Sequence, residues 1–274
     1  MAVTMAEITH LRKMTGAGMM DCKNALTEAE GDFDKAVEII RKKGQAVAAK
    51  RSDRDAAEGC VLAKSEGEFA AVIALKCETD FVAKNADFVA LTQEILDMAI
   101  ANQSADMDAV NAFPMGKGTV ADAVVDRSGI TGEKTELDGY GFVKGATTVA
   151  YIHPGNKLAT IVALSQAGID TQVARDVAMQ VAAMNPIAID RASVPADVIA
   201  KEKTVAAEKA REEGKPENML EKIAEGRIGK FYKEVCLLEQ EFVKDPKQTI
   251  AQYLDGVSKG LTVTDFKRFT LNAD

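Results

Sequence analysis

The sequence predicts an α+β fold, with helices packed on antiparallel sheets. Three observations predict it. Stretches with apolar residues at intervals of three or four alternate with short β-like runs bounded by turn residues. The pattern strand, turn, strand, helix occurs twice, across residues 60–102 and again across 147–184. A long charged helical stretch then separates the second unit from a final strand, so that unit is interrupted by an insertion. With 274 residues, 47% of them hydrophobic and 28% charged, the chain has material for two or three compact units.

Residues 1–44 read as three short helices. Thr4-Met5-Ala6-Glu7 is a capping box, in which a hydroxyl and a carboxylate satisfy the free N–H groups of a helix start. Ile8 and Leu11 share one face, and Thr15-Gly16-Ala17-Gly18 breaks the helix. Met19 to Glu30 reads as the second helix, with Cys22, Ala25 and Leu26 inward. Gly31-Asp32 is a stop and a new N-cap, and Phe33, Ala36, Val37 and Ile40 stripe a third helix that Gly44 is expected to end. A unit of roughly forty residues has a small core, so its functional content lies on its surface. Met19 and Met20 point about 100° apart on a helix and cannot both face inward. An exposed methionine suits adaptable protein contacts; the plainer reading has one in the core and the other shielding a loop.

Gln45 to Glu58 reads as a linker, helical in its first half. Cys60 to Lys64 and Phe69 to Lys76 read as strands of a hairpin, with Ser65-Glu66-Gly67-Glu68 between them. Phe69 to Leu75 reads as an alternating apolar strand. It runs into Cys77-Glu78-Thr79-Asp80-Phe81-Val82, and a helix follows on Phe88, Leu91, Ile95 and Met98. This strand-to-helix corner sets an acid beside a large aromatic. Either Asp80 caps the helix and Phe81 packs beneath it, or Phe81 projects as a wedge for a partner.

Short helices follow near 105–113 and 120–128, then a strand from Glu136 to Val143. Thr147 to Ile152, the turn His153-Pro154-Gly155-Asn156, Leu158 to Leu164 and the helix 170–184 form the second unit. Val194 to Glu213 and Glu217 to Val235 are two helices joined at Gly214-Lys215-Pro216, an antiparallel hairpin with a stripe at Leu220, Ala224, Ile228, Phe231 and Val235. A helix at Ile250, Tyr253 and Leu254 and a strand over 261–269 close the core.

A formal charge of −8 and a pI near 5.1 argue against a nucleic-acid backbone binder. Cys22, Cys60, Cys77 and Cys236 form no CxxC pair, so neither a zinc site nor a disulfide framework is expected, and a reducing cytoplasm fits. No segment approaches about 20 uninterrupted apolar residues, so no membrane span or signal peptide is expected. The sequence holds two histidines, His10 and His153, and no GxSxG, HExxH, P-loop or GxGxxG. An enzyme built on Cys77, Asp80 and His153 is the weaker class, since no nucleophile–base–orienter set is apparent, and no cofactor or catalytic residue is expected. A binding adaptor acting through residues 1–50 is a further alternative.

Two motifs together narrow the choice. Thr15-Gly16-Ala17-Gly18-Met19-Met20-Asp21-Cys22-Lys23, followed later by Thr79-Asp80-Phe81-Val82-Ala83-Lys84, closely resembles the bacterial-type elongation factor Ts family. The resemblance covers nearly the whole chain. It implies an N-terminal three-helix module of ubiquitin-associated type with its linker (1–55), a core N-subdomain (56–140), a core C-subdomain (141–186 and 229–274) and an inserted coiled-coil hairpin (187–228). It further implies guanine-nucleotide exchange on elongation factor Tu, a GTPase. The segment Thr79, Asp80, Phe81 and Val82 would dislodge that partner's magnesium ion, with Phe81 as the wedge. Arg12, Met19 and Met20 would contact the nucleotide-binding domain, and His153 another domain. Pro154 follows His153 where the family leads one to expect a smaller residue. The hairpin implies a weak homodimer. A helical module that some members carry after the core has no counterpart before Asp274.

Overall fold

Local chemistry sets most of the boundaries of the first helices. In the computed structural model, which describes residues 3–271, α1 spans Met5–Thr15, α2 Met19–Glu28 and α3 Phe33–Lys50. The extremes of the expected first and last units, 1–2 and 272–274, lie outside the described residues. Thr4 N–H donates to the Glu7 carboxylate at 2.7 Å and Glu7 N–H returns the bond to Thr4 Oγ1 at 3.3 Å, completing the capping box. Gly16 closes α1 in the left-handed region, and Asp32 caps α3. Ile8, Leu11, Cys22, Ala25, Leu26 and Ala36 bury into one small core.

The strands follow. β1 (Glu58–Glu66) and β2 (Phe69–Cys77) pair antiparallel. A single helical turn, α4 (Asp80–Ala83), and the long α5 (Ala86–Ala101) come next. Then α6 (Met107–Ala112), the two-residue strands β3 (Pro114–Met115) and β4 (Gly118–Thr119), and α7 (Val120–Thr131) lead to β5 (Thr135–Lys144), which returns antiparallel beside β2. The first sheet has the order β1-β2-β5. β6 (Thr147–Ile152) and β7 (Leu158–Leu164) form a second hairpin, followed by α8 (Thr171–Met184). The helical hairpin of α9 (Ala196–Glu212) and α10 (Glu217–Val235) is inserted here, with Ala206, Ala210, Leu220, Ala224 and Ile228 buried. After β8 (Glu241–Phe242), β9 (Asp245–Thr249) and α11 (Ile250–Val257), the strand β10 (Val263–Thr270) pairs with β7 and completes a sheet of order β10-β7-β6.

Four layers result: helix, sheet, sheet, helix. Cys60, Leu62, Ile73 and Leu75 on one face of the first sheet pack on Phe88, Ile95, Leu96 and Ala99 of α5 and on Val120 and Val124 of α7. The opposite face, with Val61, Ala63, Ala70, Val72 and Ala74, packs on Ala159, Ile161 and Ala163 of the second sheet. The far face of that sheet takes Val177 and Val181 of α8 and Ile250 and Leu254 of α11. Phe69 to Leu75 is therefore not an alternating, half-exposed strand. All seven of its residues are buried because neither face meets water, and a continuous apolar run is what such a strand requires. The seam between the sheets is rich in alanine, so the backbones approach closely. Val61 N–H donates across it to the Asn156 carbonyl at 2.7 Å.

The third helix does not end at Gly44. It continues to Lys50 and takes up the first half of the expected linker. The reason is tertiary. α7 crosses α3 at this point, and a methyl group built on Gly129 would overlap the Gly44 Cα. Glycine inside a helix costs about 1 kcal/mol relative to alanine; here the missing side chains let two backbones touch. Arg41 spans the crossing to Asp122 at 2.8 Å, and Lys117 reaches Asp34 at 2.7 Å.

Candidate functional site

The corner after β2 is built from the core outward. Ala83 is buried and Val82 packs partly against the first sheet's core. On one helical turn successive side chains diverge by about 100°, so with those two anchored Phe81 is turned out. It is 84% exposed, the most exposed large apolar side chain among the described residues. The cap is Thr79, not Asp80. Thr79 has extended backbone angles, and Val82 N–H donates to its Oγ1 at 3.5 Å. Asp80 already lies inside the turn, where its carboxylate accepts from Lys84 Nζ at 2.6 Å. That bond holds the Asp80 carboxyl below its ordinary range, with the charge of Lys157 a smaller contribution. Asn85 caps α5 through a 2.9 Å bond from Asp87 N–H.

Behind the turn the backbone is held from several sides. Thr79 N–H and Oγ1–H donate to the Glu133 carboxylate at 3.0 and 2.6 Å. Glu78 accepts from Lys134 N–H at 2.6 Å and from Arg51 Nη1 at 2.9 and 3.0 Å. The Lys134 amide first, and Arg51 after it, hold the Glu78 carboxyl below its ordinary value. Cys77 Sγ–H donates to the Thr79 carbonyl at 3.2 Å. Burial pushes the Cys77 thiol up to about 12 and the neighbouring Cys60 thiol up to about 11, so both stay protonated at neutral pH.

Met19 is half-buried against the core of the first three helices, and Met20 is 64% exposed, so the adjacent pair splits into an anchor and a free side chain. Arg12 is exposed, and its carbonyl accepts from Gly16 N–H at 2.8 Å where α1 meets the loop. Ile130, in the last turn of α7, lies against Gly16. The same end of α7 leads directly into Glu133, so the loop before Met19 and the Phe81 corner share one support. His153 is exposed in the turn after β6, with Tyr151 Oη 3.0 Å from its Nδ1 and Arg175 stacked on Tyr151. Lys157, at the end of that turn, pairs with Glu58 at 2.7 Å, beside Cys77 in the register of the first sheet. A cleft of about 350 Å³ opens beside His153, with Tyr151, Leu158, Met179 and Val243 on its walls. Among the described residues no group of three or more His, Cys, Asp or Glu is placed to hold a metal ion. No described helix is long and apolar enough to cross a membrane.

The family model described as Elongation factor TS matches residues 78–273, which takes in the Thr79–Val82 corner, β5, the second sheet and the helical hairpin. The chain belongs to the elongation factor Ts family. Elongation factor Ts of Porphyromonas gingivalis is 60% identical over 275 residues, covering the whole of both chains. That of Bacteroides thetaiotaomicron is 55% identical over 331 aligned positions, again with both chains fully covered. That of Azobacteroides pseudotrichonymphae is 53% identical over 274 residues. Membership places the chain among translation elongation factors.

For a member of the elongation factor Ts family the site is larger than its motif. Arg51, Glu78, Lys84, Glu133 and Lys157 all support the corner or join it to the His153 turn. Lys84 closes the motif and Glu78 precedes it, so both are within reach of a helical i,i+4 reading or a neighbour reading. Glu133 is 54 residues from Thr79. Its only local signal is the preceding Gly132, which ends α7 in the left-handed region.

Proposed function

We propose that this chain binds the GDP-bound form of elongation factor Tu and accelerates GDP release, and that it performs no bond chemistry itself. The observation that carries the reading is Phe81: a large apolar side chain, 84% exposed, on a turn whose backbone is fixed from behind. Such a group gains little by facing water and is already aimed for insertion into a partner. In this reading Thr79 to Val82 displace the partner's magnesium ion, Arg12 and Met20 contact its nucleotide-binding domain with Met19 as their anchor, and His153 contacts another domain.

The energetics support it. Magnesium bridges nucleotide phosphates and neutralises their charge, so its displacement leaves GDP held by fewer compensating contacts. Coupling is reciprocal: the factor weakens GDP by as much as GDP weakens the factor. A hundredfold weakening needs about 2.7 kcal/mol. Burying one phenylalanine supplies about 1.5–3 kcal/mol of apolar transfer. The buried, protonated thiols of Cys60 and Cys77 also favour a contact role over a nucleophilic one. The decisive measurement is release of labelled GDP from purified elongation factor Tu with and without this chain. Acceleration at substoichiometric factor supports the proposal, and an unchanged release rate rejects it.

A further inference from the structure

We infer that Glu133 is a positioning residue for Phe81, and that Glu133 and Glu78 form a reciprocal carboxylate clasp that sets the direction of the corner; the inference rests on the exchange reading above. The clasp begins where the ladder between β2 and β5 stops. The last register pair is Cys77 with Thr135. Beyond it the two segments no longer exchange backbone bonds, and side chains take over. Glu133 accepts the backbone N–H of Thr79 at 3.0 Å, and Glu78 accepts the backbone N–H of Lys134 at 2.6 Å. Each carboxylate thus satisfies the amide next to the other one, and the pair prolongs the sheet by one crossed step.

Glu133 does more than hold two strands together. It also takes the hydroxyl proton of Thr79 at 2.6 Å. A threonine hydroxyl has one proton and two lone pairs. With the proton directed at Glu133, the oxygen offers only lone pairs to the turn, which is the polarity that capping Val82 N–H requires. The order of bonds from Glu133 to Thr79 to Val82 therefore fixes a rotor, a cap and the turn that carries Phe81. Arg51, just past the end of α3, grips Glu78 through both carboxylate oxygens and brings the N-terminal helices to the same point. An exposed aromatic without such support must be ordered as it docks, which weakens docking.

Glu133→Gln tests this with the side-chain shape kept. The amide oxygen can accept Thr79 N–H, but the NH₂ then faces Oγ1, which must accept from it and turn its own proton away, so the order of bonds that sets the cap is lost. The expected result is a fall of about tenfold in the maximal rate of stimulated GDP release. The factor concentration at half-maximal effect should change less than about twofold, since Met20 and His153 still dock. In a Phe81→Ala background the same substitution should slow release no further, because the two residues act through one contact. Amide hydrogen exchange at Thr79 and Val82 should quicken in Glu133→Gln while the melting temperature holds. Wild-type release by Glu133→Gln, or equal slowing with and without Phe81, overturns the clasp. Failure of the exchange reading is distinguishable: the wild-type chain would then itself leave GDP release at its unstimulated rate.

Discussion

The corner after β2, a strand-to-helix junction, and the turn after β6, the tip of a hairpin, are built on opposite plans. At the corner an apolar side chain with no local partner is fixed by its backbone: two carboxylates, a threonine cap and a buried alanine hold the turn. At the turn a polar side chain is left exposed, and its ring meets Tyr151, edge-on to the ring and 3.0 Å from the hydroxyl. The difference teaches what each can do for a partner. A rigid aromatic delivers its transfer free energy without first being ordered. An exposed histidine on a short turn adapts to the surface it meets, and such rim contacts contribute little individually.

Substitutions can break or sharpen this contrast. The largest effect is expected for Phe81→Ala, with stimulated GDP release falling by about 10- to 100-fold, the range set by roughly 1.5–3 kcal/mol of lost burial. Its stability should stay within about 0.5 kcal/mol of wild type, since the side chain buries little in the free protein. Thermal melting beside the release assay separates the two quantities. Gly129→Ala comes next and acts from behind. The added methyl must push α3 from α7, at an expected cost of about 1–3 kcal/mol. It should also loosen Arg51 from Glu78, so melting temperature and release rate fall together while contacts through the His153 turn persist.

His153→Ala should do least to exchange, raising the half-maximal factor concentration by about three- to tenfold with the maximal rate kept. An equal loss from His153→Ala and Phe81→Ala would erase the distinction between the two loops. A smaller effect is expected from acid. The Glu78 carboxyl is held below its ordinary value in the folded chain. Its stabilisation is therefore complete above the ordinary glutamate pKa of about 4.3 and fades as pH falls through the lowered folded value. Melting curves of wild type and Glu78→Gln should differ most near neutrality and converge in strong acid.

What the sequence made readable was local. Thr4 with Glu7, Asp32 before Phe33 and the hairpin signal at Gly67 are each settled within a few residues, and the structure places them as read. The outward direction of Phe81 was one of two readings, and the burial of Ala83 on the same turn decides between them. What stayed hidden was long-range. Gly44 looks like a helix stop until Gly129 is brought against it. Asp80 looks like a cap until Thr79, with Glu133 behind it, takes that place. The apolar run at Phe69 to Leu75 shows a strand but does not show that a second sheet covers its other face. Each case turns on a partner supplied by a distant part of the chain, which neither period nor propensity encodes.

The alanine seam between the sheets has a mechanical consequence. Ala63, Ala70 and Ala74 meet Ala159 and Ala163 there, and an alanine side chain has no rotamer through which to yield. Two sheets separated by methyl groups form a stiff spacer, with Phe81 carried by the first sheet and His153 by the second. The span between those two points is fixed before any partner arrives. The molecule is in this respect a calliper, and a partner that fits both jaws must conform to their spacing.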